Sequence, residues 1–266
     1  SEAVMRLNKM VDFHCHFLPN MDDGSQSVEV SIRFLEALSE QSVELVVATP
    51  HFIANNESVD SFLQRRQTAY EKLSENLHDG LPEIKLGAEV EFYEGISSLD
   101  GLRKLCVEGT DILLLEMTNT KWTQCVINEL YRLVSLGNIR IMLAHIERCL
   151  FMQEWDVIDY LLSNDVIMQS NASHFIRTLT KRKACRHLRD GIIHVLGSDS
   201  HNMTSRPPKI KDALDIIQNI AIKWPIFFPD FKLLGATLHT DEEGFYHAHF
   251  DYKPLFDHDS GQGLAA

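Results

Sequence analysis

The sequence predicts an α/β fold in which seven parallel strands close into a barrel. Short apolar runs, often rich in β-branched residues, alternate with longer segments of helical periodicity, and this alternation is typical of a parallel sheet covered by helices. Seven repeats of the strand unit suggest that the sheet closes on itself. A chain of 266 residues, 44% of them hydrophobic, is long enough for one such domain. We therefore expect a single domain over residues 1–266, with the barrel at about 10–225.

The predicted strands are brief and mostly apolar, as strands buried on both faces are. They are Met10–Phe13, Leu45–Thr49, Ile84–Val90, Asp111–Met117, Ile139–Ala144, Val166–Gln169 and Ile192–Gly197. The predicted helices gather their apolar residues on one face, at spacings of three and four. They are Val28–Glu40, Val59–Leu77, Thr123–Leu136, Trp155–Ser163, Phe175–Asp190 and Lys209–Ile220.

The C-terminal segment, 226–266, departs from this pattern. Ala236–Thr240 and Phe245–Tyr252 flank Asp241–Gly244, whose glycine and acidic residues are typical of a turn. We therefore expect an atypical, hairpin-like segment after the barrel. The final residues, Asp257–Ala266, are expected to be frayed.

Charge and cysteine usage limit the partners and the compartment. The net charge is −13, which disfavours nucleic acid as a partner because phosphate backbones repel an acidic chain. Five cysteines, an odd number, without a CxxC pair favour a reducing compartment over a disulfide framework. No segment resembles a signal peptide or an apolar membrane span. We expect a cytoplasmic protein without direct membrane insertion, and the sequence leaves its oligomeric state open.

Six of the seven predicted strands end in side chains that bind metals. They are His14 and His16 after the first strand, His51 after the second, Glu89 in the third, Glu116 in the fourth, His145 after the fifth, and Asp199 and His201 after the seventh. Because the carboxyl ends of parallel barrel strands converge on one face, residues far apart in sequence should meet there.

The spacing of His14 and His16 has a direct structural meaning. Residues i and i+2 of a strand point to the same side, so both imidazoles can reach one metal, and Asp199 with His201 repeats this spacing. Imidazole and carboxylate ligands suit Zn, Mn or Fe. A single histidine at a strand end is more often solvated or hydrogen-bonded. Six strand ends with suitable chemistry favour a metal centre, since so many carboxylates without cations would repel one another.

Two arginines follow the predicted ligands closely. Arg148 lies three residues after His145, and Arg206 lies five residues after His201. Guanidinium groups suit bidentate capture of a phosphoryl group, although for either arginine alone a surface ion pair is an equally good interpretation. The chain contains no GxSxG, no Walker GxxxxGK[ST] and no CxxxxxR loop, which argues against serine hydrolases, P-loop enzymes and thiol phosphatases.

With these residues, the chain resembles the PHP (polymerase and histidinol phosphatase) superfamily. Within it, the chain is most similar to the tyrosine-protein phosphatases of bacterial capsular and exopolysaccharide operons. The resemblance covers roughly residues 10–220. It rests on Val11-Asp12-Phe13-His14-Cys15-His16, Met21-Asp22-Asp23-Gly24, Ala48-Thr49-Pro50-His51, Gly87-Ala88-Glu89, Leu115-Glu116, Ala144-His145-Ile146-Glu147-Arg148, Gln169-Ser170-Asn171-Ala172-Ser173, and Ser198-Asp199-Ser200-His201-Asn202 with Arg206-Pro207-Pro208.

The resemblance implies a distorted seven-stranded barrel of the PHP type that holds three divalent metal ions, manganese first and iron or zinc as alternatives. Asp23 enters the ligand set through the resemblance alone, because Asp22 beside it fits a turn equally well. The implied ligand groups are His14, His16, Glu89 and Asp199 for one ion; Glu89, Glu116 and His145 for a second; and Asp23, His51 and His201 for the third.

The resemblance also implies the reaction, the hydrolysis of protein phosphotyrosine by a metal-bridging hydroxide. Arg148 and Arg206 would hold the phosphate, and Asp199 and His51 complete the predicted catalytic residues, with His51 or a metal-bound water as proton donor. The implied partner is an autophosphorylated, membrane-linked tyrosine kinase that controls capsule synthesis. Two alternatives stay open, a PHP phosphoesterase acting on histidinol phosphate or a nucleotide, and a metal-bound regulatory module without turnover.

Overall fold

A computed structural model provides the structure of the chain. It describes residues 10–223, with side chains to residue 220, and the backbone of three further segments, 231–233, 236–240 and 246–249.

Nine parallel strands form the centre of residues 10–223. They are β1 (Met10–Cys15), β2 (Val43–Ala48), β3 (His51–Phe52), β4 (Glu83–Leu86), β5 (Glu89–Glu91), β6 (Ile112–Glu116), β7 (Arg140–Leu143), β8 (Ile167–Asn171) and β9 (Val195–Gly197). One sheet has the order β1-β2-β4, and the other has the order β3-β5-β6-β7-β8-β9. Every pair in these two sheets is parallel, as the strand–helix alternation predicted.

The two sheets are joined where the chain bends between strands. The backbone N–H of Gly87 donates to the carbonyl of Ala48 at 2.8 Å, and that of Glu89 donates to the carbonyl of Pro50 at 3.0 Å. These bonds continue the ladder from β2 and β4 into β3 and β5. The predicted strand Ile84–Val90 is therefore wrong in its bounds, since it is divided between β4 and β5. The predicted strand Leu45–Thr49 corresponds to β2, which begins at Val43 and ends at Ala48, and β3 follows after Pro50, which offers no N–H to the ladder.

The first and last strands also meet. Cys15 and Ser200 form an isolated parallel bridge, and the N–H of Asp199 donates to the carbonyl of His14 at 2.7 Å. This close approach requires glycine at position 197, since a Cβ there would lie 2.5 Å from the Cβ of His14. The parallel sheet is thus curled, and its two edges come together beside His14.

Within residues 10–223, seven α-helices accompany the strands. They are α1 (Val28–Glu40), α2 (Val59–Ser74), α3 (Gln124–Val134), α4 (Trp155–Ser163), α5 (Ala172–Ile176), α6 (Lys181–Arg189) and α7 (Ile210–Lys223). Short 3-10 helices occupy Ile96–Ser98, Leu102–Leu105, Ile146–Arg148 and Leu150–Met152. The first three α-helices begin after hydroxyl residues, Ser27, Ser58 and Thr123, whose side chains accept a backbone N–H of the first turn.

The predicted helix Phe175–Asp190 is wrong, because two helices replace it. Arg177 has an extended ψ of 128° and ends α5. The hydroxyl of Thr180 donates to the carbonyl of His174 at 2.6 Å, a local bond that competes with helical continuation. The predicted helix Val59–Leu77 also extends too far, since α2 ends at Ser74.

The buried apolar side chains form two clusters, one on each face of the curled sheet. The smaller cluster has no helical member and comes almost entirely from the strands, so it fills the inside of the curl. It comprises Val11, Phe13, Leu45, Val47, Val107, Ile112, Leu114, Met142, Ala144, Ile167 and Val195. The larger cluster joins the outer strand face to the helices, for example through Val46, Leu113 and Leu143 with Phe34, Phe62 and Leu130. Cys15, which lies between His14 and His16, also belongs to this larger cluster.

Beyond residue 223 the described backbone forms β10 (Phe231–Leu233), β11 (Ala236–Thr240) and β12 (Tyr246–His249), paired antiparallel in that order. The turn predicted at Asp241–Gly244 and the end of the chain, Asp257–Ala266, lie outside the described residues. The hairpin-like segment therefore stays a prediction.

Within the part of the chain that the structure describes, no helix combines the length and apolar character needed to cross a lipid bilayer.

Candidate metal centre

The side chains predicted as metal ligands lie together at the carboxyl ends of the strands. His14 lies in β1 and His16 directly follows it, while His51 and Glu89 begin β3 and β5. The other ligands come from the end of β6 (Glu116), the residue two after β7 (His145), the loops after β9 (Asp199 and His201), and the loop after β1 (Asp23).

Glu89 occupies the middle of the cluster and is 1% exposed. Its Oε2 lies 3.2 Å from Nε2 of His14, 3.3 Å from Nε2 of His16 and 3.0 Å from Nδ1 of His51. Its Oε1 lies 2.9 Å from Nε2 of His145. Four imidazoles from three strand ends, those of β1, β3 and β7, therefore surround one carboxylate.

The geometry around Glu89 fits a divalent cation better than a hydrogen-bond network. Its Oε2 is buried and has no hydrogen-bond partner among the described residues, although three ring nitrogens lie close to it. Nε2 of His14 and Nε2 of His16 also face each other at 3.0 Å. Such convergence of donor atoms is what a metal site requires. Three groups have all donor atoms within 4.8 Å of one another: His14 with His16 and Glu89, His51 with Glu89 and Glu116, and His16 with His51 and His201.

Asp23 lies at the solvent-facing side of the cluster. Its side chain is 71% exposed, and its Oδ1 lies 3.4 Å from Nε2 of His201 and 3.6 Å from Nε2 of His51. Asp23, which entered the predicted ligand set through the resemblance alone, is therefore close to His51 and His201, the two ligands implied for the same ion.

Two of the ligand residues have backbones in the left-handed region. His145 has φ of 29° and Asp199 has φ of 50°, unusual values for residues other than glycine. Both lie two residues after the end of a strand, and both side chains lie in the cluster. Backbone strain of this kind is characteristic of functional sites.

The charges in the cluster shift one another's protonation. Burial alone would lower the pKa of His16, but the hydrogen bond to Asp22 and the negative charge of Glu89 outweigh burial and raise the pKa to about 10. The same balance, with Glu116 and Glu89 as partners, raises the pKa of His145 to about 9. Burial alone would raise the pKa of Glu89. The surrounding imidazoles have the larger effect and hold this pKa well below its usual range. Binding of a cation would therefore release protons, since histidine ligands must be neutral.

Both predicted phosphate-binding arginines lie in the centre and converge on Asp199. Nη2 of Arg148 lies 2.5 Å from Oδ2 of Asp199, and its Nη1 lies 3.0 Å from Nε2 of His145. Nη2 of Arg206 lies 2.7 Å from Oδ1 of Asp199. Each arginine is thus paired with an acid, and that acid is itself a predicted ligand.

The carboxylate of Asp22, for which the sequence suggested only a turn, contacts two of the predicted ligands. Its Oδ2 lies 2.8 Å from Nδ1 of His16 and accepts the N–H of His51 at 3.0 Å. A carboxylate behind a ligating histidine fixes its tautomer and directs the other nitrogen to the metal. The loop must pass close to His16 for this contact, and a Cβ on Gly24 would lie 2.1 Å from the carbonyl oxygen of His16.

The amide side chains of β8 were also not predicted to have a role. Oε1 of Gln169 accepts the backbone N–H of His145 at 2.7 Å and faces Nδ1 of His14 at 3.2 Å. Nε2 of Gln169 donates to Oδ1 of Asn171 at 3.1 Å, and Nδ2 of Asn171 donates to Oδ2 of Asp199 at 2.7 Å. Because the His145 N–H can only donate, the Gln169 atom that receives it is the oxygen. Nδ1 of His14 then carries a proton, and its Nε2 lone pair faces Glu89.

We expect Gln169→Leu to weaken divalent metal binding by roughly 10–100-fold, as the loss of an orienting partner of a ligand does. The change removes Oε1 of Gln169, which accepts from Nδ1 of His14 and from the backbone N–H of His145, and it leaves every predicted metal ligand in place. Competition with a metal-sensitive dye measures the affinity. Gln153→Leu is a matched control, because Oε1 of Gln153 also accepts a backbone N–H, that of Trp122 at 2.9 Å, and Gln153 is not among the cluster's contacts. Equal affinities of the two variants would contradict the orienting role.

Comparison with known proteins agrees with this geometry. Tyrosine-protein phosphatase CpsB of Streptococcus pneumoniae is 29% identical over 230 residues, which cover 78% of this chain and 89% of that protein. Tyrosine-protein phosphatase YwqE of Bacillus subtilis is 26% identical over 217 residues, covering 79% and 84%.

A crystal structure of YwqE and CpsB, described as metal-dependent tyrosine phosphatases, has a TM-score of 0.67 at 22% identity. The similarity covers 79% of this chain and 87% of that one and shows a shared fold, a mixed α/β architecture with a curled parallel sheet. Residues 10–223 match the family described as capsular polysaccharide synthesis, CpsB/CapC. The resemblance inferred from the motifs is therefore confirmed, and the chain belongs to the CpsB/CapC family.

Proposed function

We propose that the protein is a metal-dependent tyrosine-protein phosphatase, a hydrolase of phosphoric monoesters. The observation that carries this proposal is the buried carboxylate of Glu89, whose Oε2 faces three imidazole nitrogens at 3.0–3.3 Å without a hydrogen bond. Two arginines at the same centre suit phosphate. Family relatives named as tyrosine-protein phosphatases support phosphotyrosine as the substrate.

The proposed centre holds three divalent ions, with manganese the first candidate. Divalent ions bound there would supply Lewis-acid activation of water and neutralise charge on the phosphate. Glu89 would be shared between two groups, since its two oxygens face different histidines. The proposed groups are His14, His16, Glu89 and Asp199; Glu89, Glu116 and His145; and Asp23, His51 and His201.

The protein's own residues would bind the phosphate and assist the leaving group. Arg148 and Arg206 would turn from Asp199 to the non-bridging phosphate oxygens and take up the charge that develops there. Tyrosinate is a fairly good leaving group, because the free phenol has a pKa of about 10. His51, whose side chain is 28% exposed, would be the histidine of the centre that hands a proton to the departing phenolate.

We also propose that the nine strands of residues 10–223 correspond to a seven-stranded PHP barrel. Joining β2 with β3 and β4 with β5 across their bends gives seven, and the hydrogen bonds of Gly87 and Glu89 support this joining. The bridge between Cys15 and Ser200 supports closure.

The biological setting that we propose is the cytoplasm, where the phosphatase would act on an autophosphorylated, membrane-linked tyrosine kinase. The family description, capsular polysaccharide synthesis, supports a role in capsule or exopolysaccharide production. The cysteines of the described residues are all unpaired, which agrees with a reducing compartment.

A substrate panel tests the proposed function. Metal-loaded protein is given a phosphotyrosine peptide, histidinol phosphate and a nucleotide monophosphate, and kcat/KM is measured for each. We expect the peptide to have the highest value. A preference for either small molecule would favour the other PHP activity, and no hydrolysis of any phosphate ester would favour a regulatory module.

A further inference from the structure

A cavity of about 340 Å³ adjoins the metal centre. It shares Arg148, Asp199 and Arg206 with that centre. The rest of its wall comes from α5 with the residue that follows it, Arg177, and from the segment that leads into α7, including Lys209. Its volume is in the range of small-ligand sites, roughly 300–1,000 Å³. A group bound in this cavity would therefore be a close neighbour of a phosphate bound by Arg148 and Arg206.

The charges of the cavity wall are unusual for this protein. Four cationic side chains line it, against two carboxylates, in a chain whose net charge is −13. Of the carboxylates, Asp199 is already paired with Arg148 and Arg206. Glu147 is half-buried, and its Oε1 accepts the N–H of Asn171 at 3.2 Å. The cavity therefore attracts anions.

Two of the cations are not used elsewhere in the fold. Among the residues that the structure describes, no ion pair or hydrogen bond engages the guanidinium of Arg177 or the ammonium of Lys209. The ring of His174, on the same wall, adds a buried Nε2 that has no hydrogen-bond partner among those residues. Burial and the positive charges of Lys183 and Arg177 lower the pKa of His174 to about 4, so its neutral ring can offer one N–H. Together they are an unused set of donors for an anion.

We propose that this cavity binds a second anionic group of the substrate chain, a phosphate or a carboxylate near the phosphotyrosine under attack, through Arg177, Lys209 and His174. The inference rests on the proposed function and deepens it, because it names a preference of the same site. The metal centre and its two arginines recognise one phosphate. The adjoining cavity then selects chains in which a second negative charge lies a few residues away.

The test compares substrates that differ only in that second charge. Three peptides carry one phosphotyrosine with neutral neighbours, with acidic neighbours, or with a second phosphotyrosine, and a small aryl phosphate is the fourth substrate. The variants are Arg177→Gln, Lys209→Gln and the double variant. Arg182→Gln is the matched control, because Arg182 is also exposed but does not line the cavity. Peptide binding is followed in parallel by fluorescence anisotropy.

We expect each single change to raise KM about 3–5-fold for peptides with a second anion, the effect typical of one exposed ion pair, and the double change to raise it about 10-fold. The value of kcat should stay unchanged. The neutral peptide and the aryl phosphate should keep their full kcat/KM, and the differences should shrink at high salt. If KM rises only for the peptide with a second phosphotyrosine, the ligand of the cavity is a phosphate. If KM rises equally for the peptide with acidic neighbours, the cavity accepts a carboxylate as well as a phosphate.

Two results would overturn the inference. Equal losses on all four substrates would show that Arg177 and Lys209 serve the reaction or the fold in general, and no loss on any of them would show that the cavity binds nothing. Failure of the proposed function is a separate result, the absence of aryl phosphate hydrolysis by the unchanged protein. In that case anisotropy still decides, since the doubly phosphorylated peptide should bind the unchanged protein more tightly than the double variant.

Discussion

Glu89→Gln is expected to eliminate turnover and to strip the centre of metal. The carboxylate faces four imidazoles and is shared between two of the proposed ligand groups. An amide in its place brings an uncharged oxygen and an N–H that points at the histidines. We expect kcat to fall by more than about 100-fold, since the loss of a residue that merely orients a ligand already causes a loss of roughly 10–100-fold. Steady-state hydrolysis of a phosphotyrosine peptide and elemental analysis of the purified variant measure both effects.

Glu91→Gln provides the control for this change. Glu91 lies two residues further along β5 and is exposed, and none of the ligand groups includes it. Its variant should keep its metal and its activity. If Glu89→Gln retained its full metal content, or if it lost no more activity than Glu91→Gln, Glu89 could not be the shared ligand.

Arg148→Met is expected to separate phosphate binding from metal binding. The guanidinium reaches both Asp199 and His145, which belong to two different proposed ligand groups. Removing one such donor typically lowers kcat by about 10²–10³-fold. The metal content should stay close to that of the unchanged protein, because no ligand is altered. Arg148→Lys should restore only part of the activity, since an ammonium group cannot make the bidentate contact.

The control for Arg148 is Arg182→Met, which removes an exposed arginine of α6. The measurement is kcat and KM for an aryl phosphate together with metal content. Loss of metal from Arg148→Met would mean that Arg148 supports the ligands and does not bind the phosphate. An unchanged kcat/KM would exclude it from the reaction.

The sequence was sufficient to predict which strands bring ligands together. Ligand-type side chains recur at the ends of apolar runs, and the parallel sheet that these runs form puts those ends on one face. The contact of His14 and His16 through their Nε2 atoms agrees with the spacing of two in β1. Arg148 and Arg206 were likewise found from their positions shortly after His145 and His201.

Features that depend on the register between strands could not be predicted. Gln169 contacts His145 because β8 lies beside β7, and the amide of Gln169 also reaches His14 in β1. It could not be predicted, because no metal-ligand residue type stands beside Gln169 in the sequence. Asp22 was ambiguous because an aspartate in the segment Asp22-Asp23-Gly24 suits a turn as well as a contact with a histidine. The division of the predicted helix depends on one hydroxyl, that of Thr180. The cationic cavity arises only when α5 and Lys209 meet beside Arg148.

The proposed metal centre is tested most directly by removing and restoring the metal while phosphotyrosine hydrolysis is measured. The protein is stripped with a chelator, divalent ions are added back stepwise, and bound metal and kcat are recorded for the same samples. We expect activity to disappear with the metal and to return in proportion to the ions bound, with manganese effective and up to three ions per chain. Full hydrolysis of the peptide by metal-free protein, or no hydrolysis by metal-saturated protein, would contradict the assignment of Glu89 and its surrounding histidines as a catalytic metal centre.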